Sequence, residues 1–463
     1  MVVKHKKKGG RLKIICIAVL CMAVIGVGGW LFLTKFEGAP PKIHVDLDKQ
    51  VLAAETEISG FVEDPGTGVQ NLWIGLIQDG EETVLLEKSF PQSKQPSRRD
   101  GGAVPFKVTI NAEELGLSDG EALLRMAARD RSWRSWGKGN KNYLEKKLVF
   151  DTRAPDVTVL TSQHNIRQGG SGLVVYRLSE DCGKSGVHVG GEFFPGHSGY
   201  FDQQDVYLAL FALGYDQGRD TELYVEAVDE AGNTARSRFH NYIRGATFKK
   251  DVLGISDSFL KMKLPEFGPY MEDKKDASLI EQFLYVNQTL RRKNNQMILS
   301  SAQKSAEKFY WQGAFGRLPG SARRAGFADH RVYRHEGEIV DRAVHMGVDL
   351  ASLRHAPVPA ANAGKVVLAE EVGIYGNTVV IDHGYGLFSV YSHLSRFAAG
   401  PGEIVEKGDI IGHTGSTGFA AGDHLHYGMF IDHVYVNPVE WWDESWIANN
   451  ITSKLENVQS ILE

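Results

Sequence analysis

The run His424-Leu425-His426-Tyr427-Gly428-Met429-Phe430-Ile431 decides how the last third of this 463-residue chain is read. Tyr427, Met429 and Phe430 suit a β-strand, where alternate side chains share a face. His424 and His426 would then point the same way with Cα atoms roughly 6.6 Å apart, and Leu425 the other way. On a helix the same spacing would splay the two imidazoles around the axis. Only the strand reading gives the pair chemical meaning.

Two earlier segments carry matching groups: His345-Met346-Gly347-Val348-Asp349 and Tyr391-Ser392-His393-Leu394. On a straight strand His345 and Asp349 lie too far apart for one metal, but Gly347 permits the chain to turn and bring both inward. That makes a two-ligand corner. One histidine of the later pair would complete a three-ligand site, and the other could sit beside His393. Two imidazole nitrogens and one carboxylate can hold zinc while leaving its fourth tetrahedral position for water. A lone His-x-His or His-x-x-x-Asp is more often structural than catalytic, so the weight rests on the ordered set. His330, His335, His355, His383, His413 and His433 lack a comparable motif. They are expected as surface, turn or packing residues, with His383 in an inter-strand turn.

The three segments, in this order, resemble the lysostaphin-like or LytM-type zinc metallopeptidases that cut peptide bonds in bacterial cell walls. The resemblance covers roughly residues 320 to 440. Supporting stretches are Gly376-Asn377-Thr378-Val379-Val380-Ile381-Asp382-His383-Gly384, Lys407-Gly408-Asp409-Ile410-Ile411-Gly412, Gly415-Ser416-Thr417-Gly418 and Val436-Asn437-Pro438. It implies that His345, Asp349 and His426 bind one zinc ion per peptidase domain, while His393 and His424 flank the reacting centre and handle protons. It also implies a compact antiparallel β-fold with a substrate groove across the sheet. Two positions depart from the commonest pattern: Asp423 stands where Pro is frequent, and Gly428 where Glu is frequent. Neither is an expected ligand, so the departures bear on groove shape and ligand orientation.

The formal net charge is −5, and Lys4, Lys6, Lys7, Lys8, Arg11 and Lys13 contribute +6 at the N-terminus, so the remainder carries −5 − 6 = −11. So acidic a body is a poor partner for nucleic acid, whose binding relies on clustered Lys and Arg. Ile14 to Leu33 is free of charge and long enough to cross roughly 30 Å of hydrocarbon. The preceding cations should stay in the cytoplasm and send the chain after Lys35 outside. A cleaved signal peptide is the competing reading, although the apolar stretch is longer than a typical signal core. Cys16 and Cys21 lie in this stretch, which leaves Cys182 alone in the exported part and no intramolecular disulfide there. Cys182 reads as a small buried apolar residue.

Between Lys42 and Ile243, short apolar runs such as Leu72 to Leu76, Phe106 to Ile110, Leu148 to Phe150 and Leu173 to Tyr176 alternate with Gly, Asp, Pro and Ser clusters. That rhythm favours sandwich-type β-domains. Asp151-Thr152-Arg153-Ala154-Pro155 and Asp229-Glu230-Ala231-Gly232-Asn233 resemble segments of bacterial immunoglobulin-like repeats, which implies spacing or binding rather than catalysis. After Gly245, Ser278-Leu279-Ile280-Glu281 reads as a capping box opening a helix that should run to about Lys308. Ile447, Ile451, Leu455, Val458 and Leu462 recur at helical spacing and suggest an amphipathic helix packed on its own domain.

The expected architecture is multidomain and mainly β. It runs from a cytoplasmic tail (1–13) and transmembrane helix (14–34) through β-sandwich-like domains at 40–152 and 153–243 to a helical linker (244–318). A metallopeptidase domain (319–441) and a C-terminal helix (442–463) complete it. The expected function is a zinc endopeptidase acting on peptidoglycan stem peptides or cross-links, anchored as a single pass in the bacterial inner membrane with most of the chain periplasmic. Envelope proteins could engage the β-domains or the linker. Two rivals stand beside it: a non-catalytic scaffold or activator of another wall hydrolase, and an endopeptidase for secreted peptides or envelope proteins.

Overall fold

The structure is a computed structural model that describes residues 9–47, 49–91, 103–301 and 304–463. Its first element is a helix, Gly9–Lys35. The stretch Lys13–Lys35 has a mean hydropathy of 2.6 and none of its apolar window is buried in the protein, so it is long and apolar enough to cross a membrane. Lys4, Lys6, Lys7 and Lys8 lie outside the described residues.

The chain divides into two compact units, Met1–Ala154 with Glu230–Asn233, and Pro155–Asp229 with Thr234–Glu463. In the first, the strands Lys42–Asp46, Glu55–Glu63 and Val104–Asn111 form one antiparallel sheet. A second sheet of five strands has Gly120–Asp130 beside Val69–Gln78. Strict alternation along Val104–Asn111 turns Val104, Phe106, Val108 and Ile110 inward and Pro105, Lys107 and Thr109 outward. These side chains meet Leu72, Ile74, Leu124 and Phe150 of the other sheet in one core, the packing of a sandwich.

The second unit opens with more short strands, of which Ser171–Leu178 is almost wholly buried. A helical segment follows. Ser278 and Glu281 make the reciprocal capping box, and the helix runs through a π-turn, Tyr285–Leu290, to Ser300. It stops short of Lys308 because the next backbone is bonded elsewhere: Ser305 Oγ and Ala306 N donate to the Asp382 carboxylate, and Tyr310 N to His383 O.

The peptidase-like region is built on an antiparallel sheet ordered Ala322–Ala325, Val348–Ala351, Leu425–Ile431, Leu387–Leu394, Asn377–Gly384, Gly364–Glu371 and Ile404–Val405. The whole molecule is therefore mainly β and multidomain. Leu387–Leu394 and Leu425–Ile431 are buried at every residue, since both faces of the sheet centre are covered. His383 lies within the strand Asn377–Gly384 rather than in a turn, and the turn itself falls at Tyr385 and Gly386, both at positive φ. The C-terminal helix is amphipathic as expected but packs against Ser171–Leu178 of the preceding β-region, where Lys454 Nζ donates to Leu173 O at 3.3 Å. That strand offers the apolar surface its stripe of Ile451, Leu455 and Val458 requires.

Candidate metal centre

Strand pairing does the first part of the assembly. Asp349 lies directly opposite His426 in the antiparallel pair of Val348–Ala351 with Leu425–Ile431, so their side chains share a face. His345 arrives from the preceding corner, fixed by backbone bonds to Asp329 and Ala328. The outcome is a tight triangle. His345 Nε2 lies 3.0 Å from Asp349 Oδ1 and 2.9 Å from His426 Nδ1, and His426 Nδ1 lies 2.9 Å from Asp349 Oδ1.

Gly347 makes this corner possible, though not through a left-handed backbone. A Cβ there would sit 2.7 Å from the His426 ring and 2.7 Å from Tyr427 O, so the glycine supplies space for the ligand ring. His393 has the unusual backbone instead. Ser392 is the residue paired with His426, and simple alternation would turn His393 to the opposite face with Tyr391. Its φ of 63° swings it back towards the triangle, at a cost of about 1–3 kcal/mol. The ring centroids of His393 lie 4.9 Å from His424 and 5.9 Å from His426. His424 N bonds Gly415 O just before the strand begins, and its Nε2 lies 3.7 Å from Asp349 Oδ1. All five residues singled out in the sequence come together.

Hydrogen bonds assign the tautomers. Nδ1–H of His345 donates to Gly326 O at 2.8 Å, that of His393 to Thr417 O at 2.9 Å, and that of His424 to Gly422 O at 2.8 Å. Each therefore keeps its Nε2 lone pair for the centre. Burial pushes His393 well below its ordinary value and His426 down to about 4, so both rings are neutral at pH 7. Burial works against the Asp349 carboxylate, but His345 and His426 outweigh it and hold the group well below the usual carboxylate range.

Sequence reasoning missed three supports. Arg331 Nη2 donates to Asp349 Oδ2 at 2.8 Å and leaves Oδ1 for the triangle. Lys263, in the helix Asp257–Lys263, is buried and donates to Ser416 O at 2.8 Å and Gly418 O at 3.0 Å, pinning the loop whose Thr417 orients His393. Arg291, on the later helix, lines the same cavity of about 290 Å³ as the triangle. None carried a local signal, because each acts across a contact made only on folding. Asp423 accepts from His355 N at 3.1 Å, outside the triangle.

The donor set fits a small, borderline-soft cation. Three atoms mutually within 3.0 Å can share at most one useful proton, so two or more lone pairs face one another across a buried space. A zinc ion with bonds of about 2.0–2.2 Å wants one carboxylate and two imidazoles spaced on this scale. Among the described residues, three clusters could hold a metal, and His345, Asp349 and His426 form the one that contains histidine and is buried at all three members.

Comparison with known proteins places residues 343–438 in a match to the family "Peptidase family M23". The DD-carboxypeptidase/endopeptidase Mpg of Neisseria meningitidis serogroup B is 42% identical over 96 residues, covering 21% of this chain and 22% of that protein. The peptidoglycan DD-endopeptidase ShyA of Vibrio cholerae is 38% identical over 89 residues, 19% of this chain and 21% of its own. The matches thus span about a fifth of these relatives. Among solved structures, the catalytic domain of lysostaphin from Staphylococcus simulans is similar at 27% identity over 27% of this chain and 94% of that one, with a TM-score of 0.23. A peptidase M23 from Pseudomonas aeruginosa covers 58% of this chain and 92% of its own at 18% identity and a TM-score of 0.37.

Proposed function

With residues 343–438 an M23 peptidase domain, we propose that the protein is a membrane-anchored zinc endopeptidase that hydrolyses peptide cross-links of bacterial peptidoglycan. The observation that carries this reading is the convergence of His345, Asp349 and His426 within 3.0 Å, with His393 and His424 turned towards them. The wall substrate is supported by relatives that bear the names of peptidoglycan DD-endopeptidases. The helix Lys13–Lys35 supports the anchor, and the N-terminal cations support an orientation with the catalytic region outside the cytoplasm.

His345 Nε2, Asp349 Oδ1 and His426 Nδ1 would hold the zinc. The chemistry such an ion supplies is Lewis-acid activation of a water and of the scissile carbonyl. The chain's own residues do the rest. Arg331 fixes the Asp349 carboxylate so that one oxygen faces the site. The Nε2 lone pair of His393 is placed to take a proton from the attacking water, and the N–H so formed can donate to the developing oxyanion. His424, whose Nε2 lone pair also faces the centre, can take up the proton released by the water and hand it on to the leaving amine nitrogen. The helical segment and the Phe419 loop wall the cavity and restrict water.

The test is to incubate the full chain in detergent with defined cross-linked muropeptides, with and without chelator, beside His393→Ala. Cleavage that stops on chelation and returns with zinc is the expected result. A zinc-loaded protein that cuts no cross-link would overturn the wall-hydrolase reading, and full activity in His393→Ala would remove its proton-handling role.

A further inference from the structure

The mechanism uses the histidines of the cavity, Asp349 and one N–H of Arg331, but it leaves the Arg291 guanidinium and the rest of the Arg331 head unexplained. Arg331 gives one N–H to Asp349 Oδ2, while its Nε is buried without a partner. Arg291 belongs to the helix Arg291–Ser300 that borders the cavity. Its Nε donates to Asn287 O at 3.1 Å and its Nη2 to Asn287 Oδ1 at 2.5 Å. Those bonds aim the planar head but supply no counter-charge. Among the described residues Arg291 forms no ion pair with an acid. Both arginines lie near enough to the buried Tyr375 hydroxyl to oppose the upward shift that burial causes there, so their charges act on one region of the cavity.

The balance of charge on this wall is distinctive. Asp349 is the one acid among the lining residues, and both of its oxygens are engaged, Oδ1 by the histidines and Oδ2 by Arg331. The cavity is therefore cationic before any metal enters. An arginine fork left with free N–H groups beside a site that cleaves peptides matches a carboxylate, which accepts two parallel bonds. An orphaned buried N–H such as Arg331 Nε is costly when empty and gains most from such an acceptor.

We propose that Arg291, backed by Arg331, holds a free carboxylate of the substrate, on the residue that contributes the amine side of the scissile bond. This rests on the peptidoglycan reading above and narrows it. A D-alanyl-D-alanine end and a direct D-alanyl cross-link to the second amine of diaminopimelic acid share one feature: a carboxylate on the carbon next to the scissile nitrogen. An oligoglycine bridge has none at that position. Selection for the charge would admit the first two and reject the third. Arg291 thus makes the helical segment part of the substrate site, so it is more than a spacer.

The experiment uses the full chain in detergent and two N-acetylated stem pentapeptides, one ending in D-alanyl-D-alanine as the free acid and one as its C-terminal amide. The ratio of kcat/KM for acid over amide should be roughly tenfold or more in the intact protein. In Arg291→Gln that ratio should fall towards one, and Arg291→Lys should restore part of it, since an ammonium keeps the charge without the fork. Calorimetric binding of the same two peptides to the zinc-free protein should show the same preference for the acid and its loss in Arg291→Gln. An unchanged ratio in Arg291→Gln overturns the proposal. So does a rise in rate on both peptides, which would make the helix a cover rather than a reader of charge. Cutting of cross-linked muropeptides with no acid preference sinks the arginine inference alone. Absence of any cleavage sinks the hydrolase reading, and the zinc-free binding ratio then decides the role of Arg291 by itself.

Discussion

Two faces of one sheet bury histidines in opposite ways. On the face away from the cavity, His383 has no exposure, and both its nitrogens are used: Nδ1 bonds Ala363 O at 2.7 Å and Nε2 bonds Ser389 Oγ at 2.7 Å. Ser389 continues to Tyr391 OH, which accepts from Ala361 N at 2.8 Å. On the cavity face, His345, His393 and His424 each satisfy one nitrogen with a backbone carbonyl and leave the other aimed at a shared space. Burial alone is common to both, and it pushes His383 and His426 alike down to about 4. What separates a structural histidine from a chemical one here is the unspent lone pair. A saturated network fixes the fold, and a convergent unsaturated one invites a cation.

The largest effect should come from breaking the open face. His345→Ala should lower activity by more than roughly a hundredfold, because losing a ligand exceeds the 10–100-fold loss typical of removing a group that merely orients one. The thermal midpoint of the zinc-free protein should hardly move, since the triangle's unpaired groups add little to folding. Turnover and zinc stoichiometry read this, and a large loss of stability without loss of bound zinc would erase the distinction between the faces. Gly347→Ala is the next step down. Its Cβ must displace the His426 ring, so zinc affinity should fall roughly 10–100-fold as measured by competition with a chelator.

The closed face should respond in the other currency. Tyr391→Phe leaves the Ala361 N–H and the Ser389 hydroxyl short of a partner and should cost about 1–3 kcal/mol in denaturant unfolding, with zinc affinity unchanged. A shift in zinc affinity there would show that the two faces are coupled. The smallest effect lies off the sheet, in the short helix Pro438–Trp441. Burial pushes Glu440 from 4.5 up to about 7, against the Ser171 N–H and Arg167. Its folded-state value is raised, so its favourable contribution is complete below about pH 4.5, declines as the pH climbs from there and is lost above about 7. Glu440→Gln should flatten this part of the thermal midpoint's fall between those values, and an unchanged profile would remove Glu440 as its source.

Much of this was legible along the chain. The strand from Leu425 followed from a period of two, the helix after Ser278 from its capping box, and the sandwich from short apolar runs such as Phe106 to Ile110 set between turn-forming clusters. The five site residues could be named because their motifs are local. Errors arose where a segment's partner lay far away in sequence. The helix ends at Ser300 since Asp382 draws the following backbone aside, and the C-terminal helix packs on the strand Ser171–Leu178, where Lys454 bonds a residue 281 positions earlier in the chain. Gly347 was correctly singled out for the wrong property, because the clash it avoids is with a ring 79 residues away.

The sequence by itself determined the chemical inventory: an apolar N-terminal span, mainly β periodicity, and two imidazoles and a carboxylate suited to zinc beside two more histidines. Periodicity and side-chain chemistry are short-range properties, so a linear reading reaches them. Only the tertiary structure decided that His393 turns to the cavity through a left-handed φ of 63°, that Arg331 orients Asp349, and that Lys263 pins the loop behind His393. It also set Arg291 on the cavity wall. Those features depend on strand register and long-range packing, whose energies exist only once distant segments meet.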